Sequence, residues 1–127
     1  MHDRYGIPDA PLEVHLREEG LWELPMSVME LGSYRLPVAG GGYFRLFPYV
    51  LTRRAIESMN AKGRPAVVYL HPWEFDPEQP RCPGVGTVAR FRHYNGIGRN
   101  LQKLERLLDE FSFSTARDVL FARGARF

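Results

Sequence analysis

Two stretches of the chain repeat their apolar positions at the spacing of a helix. Leu51, Ala55 and Met59 recur four apart, flanked by Val50 and Ile56; Pro48 suits a first helical turn, and Lys62-Gly63 supplies a cationic last turn and a C′ glycine. That pattern predicts a helix of about three to four turns. Leu101, Leu104, Leu108 and Phe111 follow i, i+3, i+7 and i+10, Leu107 widens the stripe, and Lys103, Glu105, Arg106 and Asp109 are expected to point away, which predicts a second amphipathic helix. Between the two, residues 65–70 (PAVVYL) form a continuous apolar run rich in β-branched side chains, as in a strand covered on both faces of a parallel sheet. A helix followed by a buried strand is half of an α/β repeat, so the expected fold class is α/β. Weaker alternation at 12–16, 21–24 and 27–31, punctuated by Gly20, Pro25 and Gly32, predicts short strands. Phe111 and Phe113 around Ser112 suggest another short strand, and Ser114 or Thr115 can cap a last helical turn over 116–122.

Two segments break this periodicity. The three glycines at 40–42 carry almost no side chains, so something is expected to pack closely against them. Residues 71–83 contain four prolines and read as an extended loop, which 89–98 continue with only a short helix, an unusually long excursion for a compact domain.

The candidate chemistry sits where these patterns meet. His71-Pro72-Trp73-Glu74 begins where the apolar run ends, and in parallel α/β sheets and barrels the carboxyl ends of strands line the ligand crevice. A histidine placed there either transfers protons or shapes the proline-rich turn; Trp73 packs or stacks on a sugar; Glu74 orients the imidazole or faces solvent. The four histidines form no His-x-His, His-x3-His or His-Glu-x2-His pattern, so no self-contained zinc site is expected. The letters GVGTVA at 84–89 mimic a dinucleotide fingerprint but follow no strand, and the glycines at 40–42 lack the Lys-Ser/Thr of a phosphate loop. Arg90, Arg92, His93, Tyr94 and Arg99 make a basic, aromatic patch, open to a polyanion or to pairing within the loop.

Composition narrows the class. With 127 residues, 44% apolar and 25% charged, the chain is the size of one domain, which buries roughly two-thirds of its unfolded surface. The net charge is only +2, and fifteen arginines alone do not make a nucleic-acid partner the expectation. Cys82 is the sole cysteine, so neither an intrachain disulfide nor a Cys-Cys metal site can form, which fits a reducing, cytoplasmic setting. No apolar stretch approaches the roughly 20 residues of a membrane span.

The stretches GGGYFRLFPY at 40–49 and NAKGRPAVVYLHPWEFDP at 60–77, with HDRYGIPDAP at 2–11 and FRHYN at 91–95, resemble the C-terminal half of bacterial polysaccharide deacetylases of the NodB-homology type. The resemblance is to the subgroup of exopolysaccharide and exosortase loci, which carries a C-terminal extension of unassigned function. It implies the C-terminal portion of a distorted (β/α) barrel over 1–80 and a helical family-specific extension over 81–127, packed as one unit. It implies hydrolysis of N-acetyl groups from amino sugars, with His71 as the general acid that protonates the leaving amine, because Leu70-His71 matches the family's last-strand histidine. Trp73, Tyr43, Arg45 and Glu74 would shape the sugar cleft. The complete enzyme uses a zinc-like divalent metal, held by an aspartate and two histidines beside a catalytic aspartate, and none of those motifs occurs in this sequence. The chain therefore reads as starting after them: it is expected to bind no catalytic metal alone and to need an N-terminal deacetylase segment or a second copy. The alternative is a non-catalytic carbohydrate-binding or assembly module on the same surface.

Overall fold

The computed structural model describes residues 9–124. Its architecture is a small α/β one: two antiparallel hairpins followed by five helices. Strands β1 (His15–Leu16) and β2 (Trp22–Glu23) pair with each other, as do β3 (Val28–Leu31) and β4 (Tyr34–Pro37). Three of these follow the alternation seen in the sequence. β4 was not anticipated; Gly32, at φ +61°, turns the chain directly from β3 back along it. Of the segment at 2–11 that carries part of the resemblance, residues 2–8 lie outside the described residues.

Helices α1 (Gly41–Leu46) and α2 (Tyr49–Ala61) come next, and Pro48 stands one position before α2, as its N-cap. The buried face of α2 is Thr52, Ala55, Ile56 and Met59: the later part of the predicted stripe is buried, but Leu51 is only half-buried and Val50 half exposed, and Thr52 takes the first place, its hydroxyl donating to the Val38 carbonyl at 3.4 Å. Gly63, at φ +68°, ends the helix as the C′ residue.

The run at 65–70 departs from its expectation. It is extended, but its one β-bridge among the described residues is parallel, to Gly40: the Tyr69 amide donates to the Ala39 carbonyl at 3.0 Å and the Gly41 amide to the Tyr69 carbonyl at 2.9 Å. Its two faces are covered unequally, with Pro65 and Val67 half-buried on the side of Tyr69. Ala66, Val68 and Leu70 pack on the core of Phe44, Ile56, Met59 and Leu107, while Tyr69 is half exposed. Continuous apolarity here marks one packed face and one partly covered face that carries exposed Tyr69, and the described residues form no barrel. The tripeptide 111–113 forms no strand either.

A 3₁₀ turn (Pro72–Phe75) leads through an irregular stretch to α3 (Thr87–Tyr94), α4 (Ile97–Glu110) and α5 (Ala116–Phe121). Thr115 caps α5, its hydroxyl accepting from the Asp118 amide at 3.1 Å. In α4 the buried residues are Ile97, Asn100 and Leu107, with Leu104 packed beside them, whereas Leu101 and Leu108 are more than half exposed. The stripe starts one turn earlier than leucine spacing suggested, because buried Asn100 and not Leu101 continues it. That rotation also turns Lys103 inward. Its ammonium donates to the carbonyls of Phe44, Arg45 and Phe47 at 3.3, 2.8 and 2.7 Å, closing the C-terminal end of α1. No helix among the described residues is long and apolar enough to cross a membrane.

Candidate functional site

A cleft of about 450 Å³ opens between the start of α1, the 3₁₀ turn and α3. Gly41, Gly42, Tyr43 and Arg45 form its floor, His71, Trp73 and Glu74 one wall, and Ala89, Arg92 and His93 the other. All five residues singled out in the sequence, His71, Trp73, Tyr43, Arg45 and Glu74, therefore line one space.

Their arrangement starts from the parallel bridge at Gly40 and Tyr69, which brings the start of α1 beside the 71–74 turn. Pro72 fixes the first position of that turn, and Glu74 locks it. The Glu74 carboxylate accepts from the His71 amide through Oε2 and from the Arg45 guanidinium through Oε1, each at 3.0 Å, and the Glu74 amide donates back to the His71 carbonyl at 3.0 Å. Both side chains of the Arg45–Glu74 ion pair are 4% exposed. A charge so deeply buried is tolerable only when paired and hydrogen-bonded. Arg45 meets that condition with all three nitrogens: besides Glu74, Nε donates to the Asn95 carbonyl at 2.8 Å and Nη2 to the Arg92 carbonyl. One guanidinium thus ties the turn to the C-terminal end of α3. From α4, Asn100 adds a 3.0 Å bond to the Glu74 carbonyl.

Gly41 and Gly96 make room for this node. Gly41 has φ +46°, and a Cβ there would lie 3.5 Å from Glu74 Oε1, in ordinary contact; its conformation, not crowding, favours glycine. Gly96 has φ +79°, and a Cβ would meet the Arg45 carbonyl oxygen and Cγ at 3.0 Å. At 40–42, where close packing is expected from the sequence, a Cβ would meet nothing nearer than 3.5 Å; the tight approach is at Gly96 instead.

The exposed part of the site is aromatic. The His71 ring stacks on Trp73, centroids 4.0 Å apart and planes 13° apart, and Tyr69 meets the other side of the imidazole edge-on at 4.5 Å. Trp73 is 48% and Tyr43 40% exposed, so a flat apolar surface faces solvent beside the imidazole. Gln79 bridges the two walls: its amide nitrogen donates to the Trp73 carbonyl at 2.7 Å and its oxygen accepts a hydrogen bond from His93 Nε2 at 2.9 Å.

Arg45 and Glu74 are committed to each other and to backbone groups, so they hold the cleft's shape; His71, Trp73 and Tyr43 present their surfaces to it. Sequence spacing did not single out Gln79, Asn100 or Lys103. For Gln79 the proline-rich neighbourhood was the sole hint, and for Asn100 the helical phase of Ile97 would have sufficed. The arrangement can stack a ring, move a proton at His71 and hold an anion at Arg92. A divalent metal does not fit it: among the described residues no three histidine, cysteine or carboxylate side chains converge, and both oxygens of Glu74 are occupied.

No curated protein and no solved structure matches the chain. A family model does, over residues 1–121, and the chain belongs to that family, a domain of unknown function, DUF3473.

Proposed function

We propose that this chain is the C-terminal segment of a polysaccharide deacetylase that hydrolyses N-acetyl groups of amino sugars in exopolysaccharide metabolism. The observation that carries the reading is the cleft, in which His71 stands on Trp73 beside Tyr43, an aromatic surface suited to a sugar ring with a proton donor at its edge. As the amide C–N bond breaks, the leaving nitrogen takes its proton from the imidazolium of His71. Trp73 fixes the plane of that ring, and the Arg45–Glu74 pair fixes the turn that carries both. Base and metal ligands come from outside this chain, from an N-terminal deacetylase segment or a second copy. The run at 65–70, bridged only to Gly40 among the described residues, is then one strand of a distorted (β/α) barrel completed by that partner.

A second reading, a non-catalytic carbohydrate-binding or assembly module, is favoured by the full engagement of Glu74, which leaves the cleft without a free carboxylate. Acetate release from N-acetylglucosamine oligomers with divalent metal added separates the two. The deacetylase reading predicts none from this chain alone and release when the partner segment is supplied, lost in His71→Ala. Release by the chain alone would overturn the half-site account, and none with the partner present would leave the binding module.

A further inference from the structure

The charge of the cleft specifies its ligand more narrowly than an amino sugar. Glu74 is the one carboxylate among the lining residues, and Arg45 neutralises it at 3.0 Å. His93 donates a hydrogen bond from Nε2 to the Gln79 side-chain oxygen at 2.9 Å. Arg92 lines the opposite wall, and its guanidinium makes no hydrogen bond or ion pair with any described residue, although the Arg92 carbonyl is bound by Arg45. The cleft therefore presents the unpaired guanidinium of Arg92 across from an aromatic platform, in a volume within the roughly 300–1,000 Å³ of small-molecule sites. A guanidinium suits a carboxylate, which it can grip through two parallel N–H donors. A neutral polymer of amino sugars would leave it unused.

We propose that the cleft takes an acidic glycan, with a neutral N-acetylated unit against the His71–Trp73 rings and a neighbouring unit whose carboxylate is bound by Arg92. The proposal rests on the reading of this cleft as an amino-sugar site and adds the charge of its substrate.

Calorimetric titration of this chain with a hyaluronan tetrasaccharide, which alternates N-acetylglucosamine with glucuronate, tests it against the same tetrasaccharide with its carboxyls reduced to hydroxymethyl groups. The acidic form is expected to bind about 1.4- to fivefold tighter, the range of a solvent-exposed ion pair. Arg92→Gln should abolish that advantage without unfolding the site, because the Arg92 carbonyl that anchors Arg45 is retained. Arg90→Gln, on the same helix but outside the cleft, should preserve it. Equal affinity for the two forms, or an advantage that survives Arg92→Gln, overturns the acidic-glycan proposal and leaves the amino-sugar reading standing. Binding of neither form overturns both.

Discussion

Helix α4 is anchored at both ends by arginine–carboxylate chemistry, and the two ends obey different rules. At its start, Asn100 and the chain preceding Ile97 meet the Arg45–Glu74 pair, whose side chains are 4% exposed. At its end, Glu110 gathers Arg106 at 2.7 Å, Arg53 at 3.3 Å and the Tyr49 hydroxyl at 2.9 Å, with Arg106 also 4.3 Å above the Tyr49 ring. The second cluster has more members, yet water reaches all of its charges. Coulomb attraction is screened there, and each contact contributes little. The buried pair has one ionic contact, but removing either partner strands the other charge without solvent. The end that shapes the cleft is thus the end where geometry is enforced most strongly.

Glu74→Ala should be the most damaging change, lowering unfolding free energy by about 3–5 kcal/mol in urea denaturation, while Glu110→Ala produces a much smaller shift that 0.5 M salt erases. Equal losses at the two ends would remove the contrast. Gly96→Ala comes next. It places a β-carbon 3.0 Å from the Arg45 carbonyl at a left-handed φ, and about 1–3 kcal/mol of destabilisation is expected from the strain.

The outer cluster has a signature in alkali. Burial, then the hydrogen bond to Glu110, raises the Tyr49 phenol to about 12. The folded state keeps a proton that the unfolded chain releases near pH 10, so this contribution is complete below pH 10 and is lost as pH rises toward 12. Lys103 works in the opposite sense: burial, then Arg99, lowers its ammonium, so the cost of burying that charge fades as pH rises toward 10.5. Tyr49→Phe separates the two. The variant should lose stability less steeply than the parent between pH 10 and 12, the smallest of these effects; an unchanged slope would show that Tyr49 is not held by the cluster.

Much of this was legible in the sequence wherever the determining contacts are local. Ala55, Ile56 and Met59 of the α2 stripe, the Gly63 terminus and a cap at Ser114 or Thr115 depend on neighbours within a few residues, and each is readable from spacing. His71, Trp73 and Glu74 share one short turn, so they too could be picked out together. What escaped depends on distant partners. Arg45 could be named as a cleft residue, but its commitment to Glu74 and to the carbonyls of Arg92 and Asn95 was invisible. Lys103 looked like an outward charge because leucines alone set the predicted phase of α4, and the phase shifts once Asn100 is buried to bond the Glu74 carbonyl. The run at 65–70 shows the limit of composition: β-branched apolar residues mark extended backbone, but they do not say how many of its faces this chain covers.

On the proposed function, the buried pair holds His71 and Trp73 as one platform for a sugar ring. The direct measurement is titration of N-acetylglucosamine oligomers while the ring resonances of His71 and Trp73 are followed in the parent chain and in Trp73→Ala. Saturable shifts at both rings in the parent, lost at His71 when the indole is removed, are the predicted result. Shifts confined to residues outside the cleft, or undiminished at His71 in Trp73→Ala, would contradict it.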